Sequence, residues 1–306
     1  MLFPKPLKPG DRVAMIGLSS WAPEEKVDPA IEAVRQRGFE LVEYPSSRAK
    51  HWCFAGTDEQ RAKDFEDAMC DDTIDGVFCI RGGYGAARAL ELVNWERIKE
   101  AVARKPKYFS GYSDVTAAHV ALNEICNLVT WHTPMPSTEW IGGLDDYTER
   151  YLAGALSGEP VRDVTNPEGV ELEVMNPGKA TGQLIGGNLS LLAAAIGTDF
   201  DMDTKGKILF IEDIGEAPYR IDGMLIHLRQ AGKLKDAAGF IIGAWTNCGE
   251  NEPDAEFPLK GLLEDIFKPL GKPTVMNLRC GHCLPTASLP LGATVTIDNG
   301  KITIEE

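Results

Sequence analysis

Basic residues are scarce in this chain. Lys and Arg number 31 against 46 Asp and Glu, which sets a formal net charge of −15 and a pI near 4.9. A broad nucleic-acid surface is not expected from this balance, because phosphate recognition needs clustered Lys and Arg. Long apolar runs are also missing. None approaches the length of a membrane span, and Met1-Leu2-Phe3-Pro4-Lys5-Pro6 lacks the apolar core of a secretory signal. Cysteine is sparse and odd in number, with seven in 306 residues, and a chain of this size does not need staples. Buried free thiols in a reducing compartment, the cytoplasm, are the expectation. There is no internal repeat and no low-complexity tract. Histidine occurs only five times, which bounds the candidates for a catalytic base.

What is present is a chain 43% hydrophobic with 31 Gly and 19 Pro, suited to one large or two ordinary domains. Its first half alternates strands with helices. Strands are predicted at Arg12–Ile16, Phe39–Tyr44, Gly76–Ile80 and Leu128–His132, and helices at Pro29–Arg37, Asp58–Met69 and Ala86–Val93. Such repetition predicts an α/β fold, a parallel-sheet Rossmann or flavodoxin-like N-terminal domain over residues 1–150 with its site at the carboxyl ends of the strands. Residues 151–182, rich in Gly, Pro, Asn and Glu, read as a linker and entry to a second domain. Residues 183–306 then form a mixed, β-rich α/β domain. It holds an apolar helix after Asn188 as N-cap, a strand Lys207–Ile211 ending in acids, a helix Arg220–Gln230 and a hairpin turning at Asp298-Asn299-Gly300.

Phe109-Ser110-Gly111-Tyr112-Ser113-Asp114-Val115-Thr116 sits where a short strand ends and a helix begins. A hydroxyl lifted out of a sheet there lies beside free N–H groups and a positive helix end, as a nucleophile that must form an oxyanion requires. Ser113 as a simple helix cap is the competing reading. Arg81-Gly82-Gly83-Tyr84-Gly85 also leads from a buried strand into a helix. Its glycines let backbone N–H groups approach a ligand or donate to an oxyanion, although the spacing is not a dinucleotide fingerprint. Of the histidines, His282 in Cys280-Gly281-His282-Cys283-Leu284-Pro285 is the best base on local grounds and His132 the second. His119 and His227 read as packing residues. Glu212 is a candidate orienting acid. Cys280-Gly281-His282-Cys283 has redox spacing, but Leu284-Pro285 argues against the helix that would activate a thiolate. One C-x-x-C without a second pair leaves a zinc shell incomplete.

Taken together, Ala55-Gly56-Thr57-Asp58-Glu59-Gln60-Arg61, Arg81-Gly82-Gly83-Tyr84-Gly85, Gly111-Tyr112-Ser113-Asp114, Gly186-Gly187-Asn188-Leu189, Phe210-Ile211-Glu212-Asp213, Gly281-His282 and Leu289-Pro290-Leu291-Gly292 resemble, in order along nearly the whole chain, the LD-carboxypeptidase family, which includes the microcin C immunity peptidases. The resemblance implies a serine peptidase with Ser113 as nucleophile, His282 as base and Glu212 as orienting acid. It implies an oxyanion hole from the backbone N–H groups of Gly83 and Asp114. Arg81, Gly82, Tyr84 and His132 are the expected substrate-binding residues, with Arg81 suited to a free carboxylate. Two positions depart from the family pattern: Cys283 follows the histidine where a glycine is usual, and His132-Thr133-Pro134 replaces His-Gly-Pro.

The resemblance further implies release of the terminal D-alanine of a murein tetrapeptide in cell-wall recycling, without metal or organic cofactor. A homodimer, no nucleic acid and no membrane are expected as partners. An immunity-type peptidase acting on a peptidyl-nucleotide amide is the alternative substrate reading, with Trp131, Trp140 and Trp245 as candidate base platforms. A non-catalytic α/β protein binding a small ligand is the alternative of another class.

Overall fold

A computed structural model of the chain describes residues 1–252 and 256–305. The chain divides into two compact units. One comprises Met1–Pro160 with Ser288–Pro290, and the other Val161–Ala287 with the chain from Leu291.

The first unit runs β1 (Arg12–Ile16), α1 (Glu24–Gln36), β2 (Glu40–Glu43), α2 (Asp58–Cys70), β3 (Gly76–Cys79), α3 (Ala86–Leu90), α4 (Trp95–Arg104), β4 (Tyr108–Gly111), α5 (Thr116–Cys126), β5 (Thr130–His132) and α6 (Asp146–Ser157). Its sheet has the order β5-β4-β3-β1-β2, extended beyond β5 by the strand Leu289–Leu291. The ladders among β1 to β5 are parallel. That is the flavodoxin-like doubly wound order, in which ligands bind at the carboxyl ends of the strands where the strand order reverses. Here β1 and β3 are the neighbours at the reversal, and their following loops are Gly17–Ser20 and Arg81–Gly85.

Both faces of this sheet are covered, so β3, β4 and β5 are buried at every position rather than alternately, while the edge strand β2 keeps Glu40 and Glu43 exposed. Val13, Phe78, Tyr108 and Trp131 pack with Val34, Trp140 and Leu152 on one face. Phe109 meets Phe65 of α2 edge-on at 5.8 Å on the other. Helix α1 begins five residues before the expected Pro29, because its buried stripe of Val27, Ala30, Ile31 and Val34 already starts at Val27. Thr57 caps α2, its hydroxyl accepting the Gln60 N–H at 3.2 Å.

The second unit contains β6 (Asp163–Val164), β7 (Glu173–Asn176), β8 (Lys179–Asn188), α7 (Leu189–Ala195), β9 (Ile208–Ile214), α8 (Pro218–Gln230), α9 (Lys233–Asp236), β10 (Gly239–Thr246), α10 (Leu259–Phe267), β11 (Thr274–Met276), and the hairpin β13 (Thr294–Asp298) and β14 (Lys301–Ile304) that follows β12 (Leu289–Leu291). Its sheet order is β6-β14-β13-β8-β9-β10-β11-β7. The four central strands are parallel and the flanking ones antiparallel, so the sheet is mixed, as expected. Strand β9 continues three residues past the predicted end. Parallel neighbours hold it on both sides, through Asn188↔Glu212, Trp245↔Asp213 and Thr246↔Ile214. Glu212 and Asp213 are therefore buried inside the sheet instead of solvated at its tip. Asn188 occupies the N-cap position of α7, but its side chain does not cap the helix. Asp213 does so from β9: its Oδ2 accepts the Ser190 N–H at 2.9 Å, and its Oδ1 accepts Asn188 Nδ2 at 2.8 Å. Burial pushes the Asp213 carboxyl up to about 6. Among the described residues, no helix is long and apolar enough to cross a membrane.

Candidate active site

Ser113 stands on a sharp turn. The strand β4 leaves the sheet at Gly111, Tyr112 is extended, and Ser113 takes a left-handed φ of 66° before one 3₁₀ turn leads into α5. A serine pays strain for that conformation, which is characteristic of residues whose side chain must be aimed. The simple helix-cap reading does not hold, since Ser113 lies inside the 3₁₀ turn, and neither that turn nor α5 has a side-chain cap.

The glycine loop after β3 lies against this serine. A Cβ built on Gly82 would fall 2.7 Å from Ser113 Cβ and 3.1 Å from its Oγ, so only glycine allows the approach. Gly83, at φ +121°, is pressed on Ser20 in the same way, with a built Cβ 2.6 Å from Ser20 Cβ. Ser20 Oγ accepts the Tyr84 N–H at 3.0 Å. Among the described residues the backbone N–H groups of Gly83 and Asp114 have no acceptor, so two donors on adjoining turns stay available.

The side chain of Asp114 ties these turns together. Its buried carboxylate accepts the Ala86 N–H at 2.8 Å, at the start of α3. Burial raises its pKa, opposed by the N–H groups of Ala86 and Gly85. Arg61, wholly buried, donates through Nη1 to the carbonyls of Leu18 and Gly85, each at 2.6 Å, and pairs through Nη2 with Asp58. One guanidinium thus holds the loops after β1 and β3 in register. Arg81 is half-buried. Its Nε and Nη1 donate to the carbonyls of Gly82 and Trp21 at 3.2 and 3.3 Å, and it has no carboxylate partner among the described residues.

Tyr84 is exposed, with its ring 5.8 Å from Phe54. His132 is not presented to solvent. It lies on β5, 1% exposed, with its ring 5.6 Å from that of Tyr112. The tryptophans expected as base platforms, Trp131, Trp140 and Trp245, are buried, because each strand or turn carrying them is covered. Trp52 is 75% exposed, with its ring tilted against that of His51 at 4.4 Å.

In the second unit, Glu212 and His282 meet. Glu212 Oε2 lies 2.7 Å from His282 Nδ1 and also accepts the His282 backbone N–H at 3.1 Å. A carboxylate oxygen only accepts, so Nδ1 carries the proton and the basic lone pair falls on Nε2. Glu212 is fully buried, and His282 is placed by its backbone: its carbonyl accepts the Thr246 hydroxyl, while Thr286 Oγ1 bonds the Gly281 N–H at 3.2 Å. Glu216, the other acid nearby, pairs instead with Arg220 at 2.6 Å. The two cysteines of the loop form no disulfide with each other in this structure. Both are free, and burial raises both thiols, whose protons point to the carbonyls of Ala287 and Pro285. Among the described residues no three His, Cys, Asp or Glu side chains converge in a metal-binding arrangement.

The descriptions LD-carboxypeptidase N-terminal domain and LD-carboxypeptidase C-terminal domain belong to two family models that match residues 13–133 and 181–297. The chain belongs to the LD-carboxypeptidase family. It is an enzyme of that family, a serine-type carboxypeptidase. It is 36% identical to a probable murein peptide carboxypeptidase of Bacillus subtilis, over 98% of this chain and 92% of that one. A solved muramoyltetrapeptide carboxypeptidase from Oxalobacter formigenes superimposes with a TM-score of 0.80 at 28% identity, covering 95% and 97% of the two chains. The microcin C7 self-immunity protein MccF, solved in complex with aspartyl sulfamoyl adenosine, shares the fold. Its TM-score is 0.88 at 22% identity, with 100% and 99% covered.

Within this LD-carboxypeptidase, sequence reasoning missed three supports of the site: the Asp114 carboxylate, Arg61 and Gly281. Arg61 closes the segment Ala55-Gly56-Thr57-Asp58-Glu59-Gln60-Arg61, but nothing in one sequence says that a helical arginine is buried. Gly281, at φ +112°, lies where any Cβ would strike the Glu212 carboxyl group, 2.6 Å from Cγ. A glycine just before a candidate histidine was the available signal.

Proposed function

We propose that this enzyme hydrolyses the L,D-peptide bond before the terminal D-alanine of a murein tetrapeptide, with Ser113, His282 and Glu212 as its triad. The observation that carries the reading is the buried Glu212 carboxylate on His282 Nδ1 at 2.7 Å, which makes Nε2 the base. His282 takes the Ser113 proton as Oγ attacks the carbonyl carbon. The N–H groups of Gly83 and Asp114 hold the oxyanion, an interaction whose loss costs about 10²–10³-fold in rate. His282 then protonates the departing amine of D-alanine, and water releases the acyl group by the reverse relay. Glu212 holds the tautomer and offsets the imidazolium charge. Gly82 gives the substrate backbone room beside Ser113, and Tyr84 is a candidate binding residue on an exposed loop, whereas the burial of His132 leaves it packed against Tyr112 and out of reach of substrate. Arg81, a cation without a carboxylate partner among the described residues, receives the free carboxylate of the substrate.

The seven free cysteines support a reducing compartment, and cytoplasmic action on recycled wall peptides follows from that reading. A homodimer comes from the family resemblance, and sedimentation of the purified chain tests it.

The test of substrate is mass spectrometry of murein tetrapeptide and of a peptidyl-nucleotide amide after incubation with the enzyme. Loss of one alanine from the tetrapeptide is expected. Cleavage of the nucleotide substrate alone would replace the murein reading by the immunity-type one, for which the open face of Trp52 offers a stacking surface. Arg81→Met is expected to raise KM for the tetrapeptide about 10- to 100-fold with kcat less affected, as loss of a charged hydrogen bond made in ground and transition state alike would do. An unchanged KM would remove Arg81 from the carboxylate subsite.

A further inference from the structure

We propose that His119 is a positioning residue for the nucleophile, acting through the backbone of the Ser113 turn. The inference rests on the serine-peptidase reading of that turn.

His119 lies on α5, fully buried, with its ring edge-on to Phe109 at 5.4 Å. Its Nε2 is 2.9 Å from the carbonyl oxygen of Gly111, and its Nδ1 is 2.9 Å from Thr130 Oγ1. A carbonyl oxygen only accepts, so Nε2 bears the proton and Nδ1 accepts the Thr130 hydroxyl. Thr130 is itself approached by Asn123 Nδ2, which also donates to the Leu128 carbonyl at 2.7 Å. The imidazole is therefore a directed bridge from β5 to the last residue of β4. It stays neutral, since burial lowers its pKa to about 4.

The bond falls where the chain leaves the sheet. Gly111 has a φ of +153°, and its carbonyl also accepts the Thr133 N–H at 3.2 Å. Two donors thus fix the peptide plane that precedes Tyr112 and the left-handed Ser113. Strained backbone persists only when its surroundings over-determine it. The His119 bond supplies one of those restraints, and it does so from α5, the helix that follows the 3₁₀ turn containing Ser113. A hydrophobic side chain could fill the same volume, but it could not orient the carbonyl.

The experiment compares wild type with His119→Leu, His119→Gln and Ser113→Ala in the full chain. Readouts are tetrapeptide hydrolysis, the rate of Ser113 labelling by a fluorophosphonate, and thermal unfolding. His119→Leu should lower kcat and the labelling rate about 10- to 100-fold, the scale of a small misplacement of a reacting group, with KM within about threefold. His119→Gln, whose amide still offers a donor to Gly111 and an acceptor to Thr130, should recover most of the loss. A role in packing alone gives the opposite order, because leucine suits a buried site better than glutamine. The pH profile of kcat/KM should keep its shape in His119→Gln, since a neutral ring contributes no titration there.

Full activity in His119→Leu, or a change in KM alone, would overturn the proposal. If Ser113→Ala keeps wild-type turnover, the serine reading itself fails. If Ser113→Ala is inactive while His119→Leu matches wild type, only the positioning role fails. Should His119→Leu not fold, nitrogen NMR of the wild-type ring decides: a proton on Nε2 with no titration above pH 5 supports the bridge, and a proton on Nδ1 or titration near 6.5 rejects it.

Discussion

Ser113→Ala is expected to lower tetrapeptide hydrolysis by about 10⁴- to 10⁶-fold while the chain stays folded, as loss of a triad nucleophile does elsewhere. His282→Ala should be of the same order. The double variant should be scarcely worse than either single one, because nucleophile and base act as a unit. Glu212→Ala should cost somewhat less in rate, since the imidazole survives but loses its tautomer and orientation. It also removes a fully buried carboxylate that accepts two hydrogen bonds, so some stability is lost with it. The measurement is kcat/KM for each purified variant, with circular dichroism and thermal unfolding alongside. Turnover by Ser113→Ala within tenfold of wild type would refute the mechanism.

The second large effect is expected at a residue that carries no reacting group. In Gly281→Ala the new methyl would lie 2.6 Å from Glu212 Cγ and 2.7 Å from Cδ, far inside contact distance. Glu212 has little room to retreat. It is fully buried, and Gly243 already packs so tightly on it that a Cβ there would be 3.1 Å from Glu212 Cβ. The carboxylate must swing away from His282 Nδ1, or the loop must shift. Either change should cost about 10²- to 10³-fold in kcat. The left-handed φ of +112° at this position adds strain of about 1–3 kcal/mol. Gly10→Ala is the control. Gly10 has a φ of +91° but nothing within 4 Å of a built Cβ, so it should lose some stability and no activity. Equal activity losses in the two variants would show that backbone strain, and not displacement of Glu212, is the cause.

Much of the architecture was legible because the local signals agreed with one another. The strands β1 and β3 and the helices α2 and α8 fall within a few residues of the segments predicted for them. The terminal hairpin follows from Asp298-Asn299-Gly300 between two alternating strands. The errors have physical causes too. Pro29 looked like a helix start, but the buried stripe of α1 begins earlier. Lys207–Ile211 was predicted to end before its acids, because the sequence cannot report that two parallel neighbours continue beside it, β8 to Glu212 and β10 to Ile214. Trp131, Trp140 and Trp245 were candidate platforms although tryptophan is more often core, and core is where the structure puts them, since hydrophobicity alone does not separate the two.

Chemistry-bearing residue types and their order along the chain were readable without coordinates. A serine after Gly-Tyr at a strand-to-helix junction, a glycine loop on another strand and a lone histidine between Gly281 and Cys283 are local facts, since turn geometry and helix starts depend on near neighbours. Tertiary structure alone decided the protonation and support of the site. Glu212 is 70 residues before His282 in the chain, Asp114 is 28 residues from the Ala86 N–H that it binds, and Arg61 reaches Leu18 across 43. Burial, which makes those charges consequential, is a property of the packed sheet and helices around each residue, and no stretch of sequence carries it by itself.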